Sequence, residues 1–463
     1  MQWANLILKE EIAMAKIRDL TVGSIPAHMV RLAAPLIVGN ILQQLYNTVD
    51  ALILGRFAGS AEFAAVGLAG SVMNIFLFVL TGACTGISVL FAQFYGAKDL
   101  DSFRREHAMA LGAGLGFACV GGLLGYSLLP AVLRFIQTPA ALMAPVSAYM
   151  TIIFSAMTAT FLYNLYSALL RSIGQAHIAL LALLVAVTVN LGLDYYFVAG
   201  LGLGIAGAAW ATAISQALSA VLCILYLLKT APQLLFRWKD CRPELSLLQR
   251  TISLSAVTAL HQSSLYIGKL LVQGAVNTGG TEMIAAYTAT SRIEGFANSF
   301  GDSGSAATSV LVGQNLGAKK PERVKGSFRA SLWLMIGMGL ASSLIMFVSA
   351  NATVGFMLGQ TGGAAYENAV RYIRTISIFY TLCFTGNTFC GYFNGIGKVS
   401  IPFAGATSHI TLRVILSWLL VGRMGLPAVA LATGLGWAMV NTMWSLIKFL
   451  QDHAKSTTAN TPQ

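Results

Sequence analysis

The chain has 463 residues, of which 56 % are hydrophobic and only 10 % are charged, and its mean hydropathy is +0.71. A soluble domain carries roughly 25 % charged residues because its surface faces water, so this composition excludes an ordinary soluble protein. The net charge of +12 could indicate a nucleic-acid partner, but basic residues also collect in the cytoplasmic loops of membrane proteins. We therefore expect a membrane protein that contacts lipid and does not bind nucleic acid.

Twelve apolar segments follow one another along the chain, each about long enough to cross a hydrocarbon core of about 30 Å. They are continuously apolar and lack the period-two alternation of a lumen-lined barrel, which favours helices. The predicted fold is an all-α polytopic membrane protein with spans at 28–53, 64–92, 106–130, 146–169, 177–198, 205–228, 252–276, 285–312, 328–350, 367–391, 400–421 and 427–449.

The basic residues orient these spans. With a cytoplasmic N-terminus, most of the 29 lysines and arginines fall in inner segments, whereas the outer loops hold only Arg56, Arg134 and Arg423. This bias is the positive-inside pattern. It predicts a multi-pass protein of the inner (plasma) membrane with both termini cytoplasmic.

The chain repeats itself with an offset of about 220 residues. Gln93–Lys98 matches Gln314–Lys319, and Ser172–Gly174 matches Gly395–Gly397. Two six-helix halves related in this way enter the membrane from the same side, and transporters place their pathway between such repeats. The expected organisation is a cytoplasmic segment 1–27, an N-lobe 28–228, a linker 229–251, a C-lobe 252–449 and a cytoplasmic tail 450–463.

Glycine patterns in two places have structural interpretations. Gly202-x-Gly204-x-x-Gly207 spells a dinucleotide fingerprint but lacks the preceding strand that such a site needs, so we predict a tight turn. Gly112-x-x-x-Gly116 and Gly121-x-x-x-Gly125 in the third span predict close packing between helices.

Polar groups inside the spans are the strongest functional signal, because an ionisable side chain at mid-membrane costs roughly 2.5–3.5 kcal/mol. Asp50 precedes the outer Arg56 by six residues, about 9 Å along a helix, and Asp194 lies at a similar depth. Asn190 stacks one turn below Asp194, and Thr212 lies about two turns into the sixth span. These four side chains are predicted to share one level in the outer leaflet.

Oxygen ligands of this kind suit a small cation such as Na+, and close carboxylates in a low dielectric can hold a proton instead. We therefore expect Asp50, Asn190, Asp194 and Thr212 to bind the coupling ion, H+ or Na+, with no cofactor. In the second half Asp50 maps to Leu270 and Asn190 maps near Arg413. The intramembrane charges there are Lys269, Arg292, Glu294 and Asp302. Of these, Arg292 and Glu294 are expected to form structural ion pairs with their neighbours or to line a water-filled cavity.

Aromatic and amide side chains suit a cavity for organic cations. The candidates in the first half are Asn40, Gln43, Tyr46, Tyr163 and Tyr166. A flippase for lipid-linked sugar or cell-wall precursors remains an alternative, since Lys269, Arg292 and Arg413 could hold a pyrophosphate. An ion channel would need a filter-like segment and a membrane enzyme a metal or nucleophile constellation; we predict neither, and expect a non-enzymatic transporter.

The residues of the first span resemble the first helix of the multidrug and toxic compound extrusion (MATE) family, through Ala34-Pro35-Leu36, Asn40, Gln43, Tyr46, Asn47, Asp50 and Gly55-Arg56. The repeated motifs at Gln93–Lys98 and Gln314–Lys319, and Asn190 with Asp194, extend the resemblance over roughly residues 25–450. Within that family, the sequence most resembles the DinF-like prokaryotic branch.

This resemblance implies two six-helix lobes arranged as a V that export drugs or toxins, driven by inward movement of H+ or Na+. The ion site of relatives matches Asp50, Asn190, Asp194 and Thr212 here. Pro35 matches a proline whose bending accompanies substrate release in relatives. The expected transporter works as a monomer by alternating access and takes small organic, often cationic, substrates.

Overall fold

The computed structural model describes residues 19–135, 137–237 and 244–459. Residues 1–18 of the predicted N-terminal segment, 238–243 of the predicted linker and 460–463 of the predicted tail lie outside this part. Within the described residues the regular structure is helical throughout, with fourteen α-helices. An all-helical chain satisfies every backbone hydrogen bond within each segment, which is what a hydrocarbon environment requires.

The first half of the chain forms seven α-helices. One π-helical stretch, Tyr195–Gly200, continues the sixth of them without a break, and a short 3₁₀ turn, Pro232–Leu234, follows the seventh. The seven helices are α1 (Ile25–Phe57), α2 (Ser60–Gly96), α3 (Leu100–Phe135), α4 (Ala140–Ser155), α5 (Met157–Ser172), α6 (Ala176–Asp194) and α7 (Gly204–Thr230).

The second half repeats this order helix for helix. Its helices are α8 (Leu245–Asn277), α9 (Gly280–Gly317), α10 (Pro321–Leu358), α11 (Ala364–Ser377), α12 (Tyr380–Gly395), α13 (Ser400–Met424) and α14 (Pro427–Ala459). Fourteen helices correspond to twelve spans because the predicted spans 146–169 and 367–391 are each interrupted. The first interruption bends α4 against α5 by 49°.

Hydropathy supports a membrane location. Seven of the described helices are long and apolar enough to cross a membrane, and the bent pair α4–α5 makes an eighth span. The remaining helices, α8, α9, α11–α12 and α14, fall below this standard, and α9 is the clearest case because it carries Arg292, Glu294 and Asp302. The predicted all-α, twelve-span architecture is confirmed.

The described residues group into two compact units. The first contains 19–23, Ala34–Ala259 and Gly313–Lys320, and the second contains Ser24–Ala33, Leu260–Val312 and 321–459. The start of α1 therefore belongs to the second unit, where Ser331 donates a hydrogen bond to the Met29 sulfur at 3.3 Å. The start of α8 belongs to the first unit, where the Thr251 hydroxyl donates to Glu106 Oε2 at 2.7 Å.

Each unit has its own apolar core. In the first unit the core runs through α2 to α7 and includes Phe91, Phe103 and Phe161. In the second, a large cluster surrounds Tyr372 and Phe384, and a smaller one surrounds Phe393 near the end of α12. Close-packed cores of this kind fix the helices from which the polar side chains project.

The repeated motifs Gln93–Lys98 and Gln314–Lys319 cross each other inside the first unit. A Cβ atom at Gly96 would collide with the carbonyl oxygen of Gln314, and one at Gly317 would collide with that of Gln93. Only glycine allows backbones to approach this closely. The Gln314 amide nitrogen also donates to the Ser172 carbonyl at 2.6 Å, so the repeated motifs form one packed contact.

The glycine predictions have mixed outcomes. Gly202 and Gly204 adopt φ values of +67° and +54°, which confirms the predicted turn. A Cβ atom at Gly112 or Gly116 would meet no described atom within 4 Å, so close packing at that pair is wrong. Instead, packing occurs further along α3, where Gly125 lies against the Phe154 ring.

Candidate functional site

Two carboxylates meet within the first unit. Asp50 lies on α1, seven residues before that helix ends at Phe57, and Asp194 is the last residue of α6. The side chain of Asp194 is completely buried, and the two carboxyl groups lie close enough to interact electrostatically. The structure therefore brings together the two acidic residues that the sequence predicted at one depth.

The buried oxygens of this pair are unsatisfied. Asp50 Oδ1 and both carboxyl oxygens of Asp194 accept no hydrogen bond from an N–H or O–H donor among the described residues, and neither amide atom of Asn190 has a partner there. The two carboxyl groups themselves lie within hydrogen-bonding reach of each other. Asn190 lies one turn before Asp194 on α6 and is only 2 % exposed. Buried polar atoms are nearly always hydrogen-bonded, so these orphaned atoms indicate that a proton, a water or a small cation belongs among them.

Tyr46 connects the carboxylates to α7. Its hydroxyl lies 3.3 Å from the Thr212 hydroxyl. The same hydroxyl is close enough to Asp50 and Asp194 to interact electrostatically with both. Tyr46 is one helical turn before Asp50 on α1, so the two side chains share a face. The structure thus joins a predicted cavity residue, Tyr46, and a predicted ion ligand, Thr212, to the same site.

Tyr149 on α4 is a site residue that the sequence did not reveal. It is 5 % exposed, interacts with the charges of Asp50 and Asp194, and donates to the Met73 sulfur at 3.8 Å. Its neighbours in sequence are apolar and it belongs to no motif. A tyrosine in an apolar helix most often packs in a core, so no sequence signal distinguished it.

The local fold fixes Asp194 at the end of α6. The chain turns there from α-helix into the π-helical Tyr195–Gly200, and π segments are rare and often mark functional sites. The next helix begins at Gly204, where a Cβ atom would collide with the Glu62 carboxylate. Glu62 Oε2 accepts a hydrogen bond from the Ile205 amide at 2.5 Å, which anchors the turn after the π segment to α2.

The other predicted cavity residues have different surroundings. Tyr166 lies with its hydroxyl 3.3 Å from His107 Nε2, and Tyr163 interacts with Arg171. Among the described contacts, neither reaches the carboxylate pair. Asn40 is exposed and Gln43 is half-buried on α1, while Pro35 lies inside α1, which continues across it.

The donor set at the carboxylate pair suits a small ion rather than a tightly held transition metal. In the part of the chain that the structure describes, no group of three or more His, Cys, Asp and Glu side chains is clustered. Two carboxylates, an amide carbonyl and a hydroxyl are hard oxygen ligands that match Na+ chemistry. The same carboxylates in a low dielectric repel each other when both are ionised, which equally favours a shared proton.

Comparison with known families decides the identity of the fold. A sequence model of the MatE family matches the chain twice, over residues 35–196 and 256–419. The chain belongs to the MATE family. The two matches fall on the two repeats, one in each half, so the internal repeat is a repeat of the MATE unit itself.

Several curated relatives of this MATE protein are named for drug resistance or export. It is 24 % identical to the probable multidrug resistance protein YpnP of Bacillus subtilis over 88 % of each chain. It is 25 % identical to the multidrug resistance protein NorM of Burkholderia vietnamiensis, covering 81 % of this chain and 83 % of that one. It is 20 % identical to the multidrug export protein MepA of Staphylococcus aureus, covering 90 % and 89 %.

Solved structures share the fold. A MATE crystal structure in a bent conformation superposes with a TM-score of 0.89 at 21 % identity, covering 96 % of this chain and 98 % of the other. An outward-facing multidrug resistance MATE transporter of the MOP superfamily gives 0.85 over the same shares, also at 21 % identity. The protein is therefore a multi-pass membrane transporter of the MATE multidrug efflux family and not an enzyme. The drug-export names of its relatives do not favour the flippase alternative.

Proposed function

We propose that this MATE protein is a secondary antiporter that exports small organic, often cationic, molecules in exchange for H+ or Na+. The observation that carries the proposal is the pair of mutually interacting carboxylates, the half-buried Asp50 and the fully buried Asp194, whose buried oxygens accept no hydrogen bond from an N–H or O–H donor among the described residues. A carboxylate pair of this kind changes its charge when it binds an ion, which is the property that coupling needs.

Coupling follows from competition for the same charge. With the pair ionised, its negative charge attracts an organic cation, whose apolar body can contact the Tyr46 ring. Binding of one proton or one Na+ between Asp50 and Asp194 removes one of the pair's two negative charges and weakens the attraction for the organic cation. Substrate and ion therefore favour different charge states of one site, and each promotes the release of the other.

Asn190 and Thr212 would hold the bound ion in place. The Asn190 amide is buried with both polar atoms unpartnered in the described structure, so it has a free carbonyl to offer to Na+ and a free donor to offer to a carboxylate. The Thr212 hydroxyl lies against Tyr46, so ion binding at Thr212 would also move the tyrosine that contacts the substrate. Alternating access of two lobes would then carry one occupant in each direction.

The test is efflux of an organic-cation dye from proteoliposomes while a pH gradient or a Na+ gradient is imposed separately. We expect gradient-driven export by the unmodified protein under one of the two ions. Export should be lost in Asp50→Asn and in Asp194→Asn. Asp302→Asn, which changes a solvent-exposed carboxylate of α9 in the second unit, is the control and should retain export.

Two results would reject the proposal. Full gradient-driven export by Asp50→Asn, with the variant present in the vesicles at the normal amount, would separate the carboxylate pair from coupling. Absence of dye movement under either gradient in the unmodified protein would argue against ion-coupled export of organic cations.

A further inference from the structure

The second unit contains a buried polar centre that the antiport proposal does not use. Glu294 on α9 lies close enough to Arg413 on α13 and to Lys269 on α8 to interact electrostatically with both. Tyr287 and Tyr372 lie beside the arginine, with their rings 6.3 Å apart and edge to face. The Tyr287 hydroxyl accepts a hydrogen bond from Arg413 Nη2 at 3.5 Å. We call Glu294, Arg413, Tyr287 and Tyr372 the second polar centre.

The internal repeat places this centre at the position equivalent to the candidate ion site. With the offsets of the repeated motifs, Met73 corresponds to Glu294, Tyr149 to Tyr372 and Asn190 to Arg413. The first unit pairs the equivalent helices, because Tyr149 on α4 contacts Met73 on α2. In the second unit Tyr372 on α11 interacts in the same way with Glu294 on α9. The equivalent place therefore carries an arginine and one carboxylate where the first unit carries two carboxylates and an amide.

The groups of the second polar centre leave hydrogen-bonding capacity unused. Arg413 Nε and Glu294 Oε1 are buried and have no hydrogen-bond partner among the described residues, whereas the Tyr372 hydroxyl lies within hydrogen-bonding reach of the Glu294 carboxylate. Arg413 and Glu294 do not reach the 4.0 Å of an ion pair, since the described ion pairs involve other residues. A buried arginine donor and a buried carboxylate acceptor are thus held near one another without being joined.

A free guanidinium edge is a specific receptor for one class of ligand. The planar fork of arginine N–H groups matches a carboxylate with two parallel hydrogen bonds, and the Tyr372 hydroxyl can donate a third. The negative charge of Glu294 opposes this binding while it is ionised, and the opposition disappears when Glu294 is protonated. Binding of an anion at Arg413 and of a proton at Glu294 should therefore assist each other.

We propose that the second polar centre binds the carboxylate group of a small organic anion at Arg413 together with one proton on Glu294. The proton comes from solution and forms the O–H bond of the Glu294 carboxyl, and the anion forms only hydrogen bonds. The net charge of the centre is unchanged by this joint uptake, which keeps the cost of burial low.

The titratable and charged groups near the second polar centre lie on α8, α9, α11, α12 and α13. Lys269 on α8 faces Asp302 on α9 as well as Glu294, so one cation is shared between two acids. The other titratable or charged neighbours are Tyr287, Tyr372, Tyr380, Cys383, His409 and Arg413. Of these, Arg413 is the cation with an unused buried donor.

Binding of radiolabelled benzoate to the full purified chain tests the proposal without any transport step, so its outcome is independent of the antiport proposal. The unmodified protein should bind benzoate roughly tenfold or more tightly at about pH 6 than at about pH 8, because Glu294 must take up a proton. Glu294→Gln is neutral at both pH values and should bind at about pH 8 as tightly as the unmodified protein does at about pH 6. Arg413→Gln should not bind.

Matched controls separate this site from general effects of charge. Asp302→Asn removes an exposed carboxylate near Lys269, and Arg292→Gln removes an exposed arginine, both on α9; both variants should bind like the unmodified protein. If Arg413→Gln does not fold, Arg413→Lys should fold and bind at least roughly tenfold more weakly, because an ammonium lacks the two-pronged contact. Saturable binding that survives Arg413→Gln, an unchanged pH dependence in Glu294→Gln, or no saturable binding by the unmodified protein and Glu294→Gln would each overturn the proposal.

Discussion

At the residue scale, the depth of a polar side chain along its helix predicted which polar residues lie at the same level in the membrane. The sequence placed Asp50 and Asp194 at one level by counting residues to the outer loops, and the structure brings their carboxyl groups together. Counting cannot predict which direction a side chain faces across a bundle. Packing between α1, α4 and α7 determines the Tyr46–Thr212 contact and the participation of Tyr149. The sequence of a single helix does not predict how it packs against the others.

Glu62 provides a residue-scale prediction about positioning. Its carboxylate accepts the Ile205 amide and thereby fixes the turn that follows Asp194. We expect Glu62→Gln to lower coupled dye export severalfold, because a neutral amide is a weaker acceptor than a carboxylate at a helix start. Glu282→Gln is the control, since Glu282 makes the corresponding contact with the Ala365 amide at 3.0 Å in the second unit. Equal loss of export in both variants would contradict a specific role for Glu62.

Asp99 provides a second prediction at this scale, concerning pH. Asp99 precedes α3, and its Oδ1 accepts the Ser102 amide at 3.0 Å as a helix cap. Partial burial raises the pKa of Asp99, but hydrogen bonds from Ser102 and the charge of Arg105 outweigh it and hold that pKa below its ordinary value. A lowered pKa means that the cap stabilises the fold at neutral pH and loses this contribution as the pH falls through that lowered value.

Replacing the cap should show this behaviour in thermal unfolding. Asp99→Ala should lower the free energy of unfolding at neutral pH by about 1 kcal/mol, and the difference from the unmodified protein should shrink in acid. Asp99→Asn keeps an acceptor oxygen that does not titrate and should remain close to the unmodified protein at neutral pH. A deficit in Asp99→Ala that does not change with pH would show that the charge of Asp99 contributes nothing to the cap.

At the element scale, the sequence predicted where spans lie better than how they are interrupted. The predicted span 146–169 breaks at Ala156, and the predicted span 367–391 breaks at Ile378 and Phe379. Neither break falls at a proline or glycine, the residues that usually signal one, so the sequence contained no marker for them. The π-helical segment after Asp194 was equally unmarked, because it depends on the anchoring of the following turn.

The glycine contacts give an element-scale prediction. Gly96 and Gly317 lie where α2 and α9 cross with their backbones in contact, whereas Gly112 has open space around its Cα. We expect Gly96→Ala and Gly317→Ala each to destabilise the protein by at least about 1–3 kcal/mol through overpacking. Gly112→Ala should be neutral or stabilising, because alanine favours the helix. Thermal unfolding in detergent measures all three, and a harmless Gly96→Ala would contradict the crossing.

At the scale of the whole molecule, the repeat was predicted correctly, and it also explains what the prediction left open. Two matches to the MatE family fall on the two halves. The halves nevertheless differ at the equivalent positions, with Asp50 and Asn190 on one side and Leu270 and Arg413 on the other. A repeat therefore predicts where a second polar centre lies but not its chemistry, which must be read from the residues that occupy it.

The orientation in the membrane gives a whole-molecule prediction. Gln360 lies exposed between α10 and α11, and Glu322 lies exposed at the start of α10, at opposite ends of that helix. In a background without native cysteines, Gln360→Cys should react with a membrane-impermeant maleimide in intact cells. Glu322→Cys should react only after the membrane is opened. The reverse pattern would invert the predicted topology and place both termini outside.

The exchange of helix ends between the compact units has a consequence for how the protein can be assembled. The first turns of α1 complete the second unit, and the first turns of α8 complete the first unit. A gene cut between α7 and α8 would thus encode two fragments, each missing a piece of its own bundle and carrying a piece of the other's. Neither fragment could mature alone, whereas the two made together could exchange their ends and reconstitute the transporter.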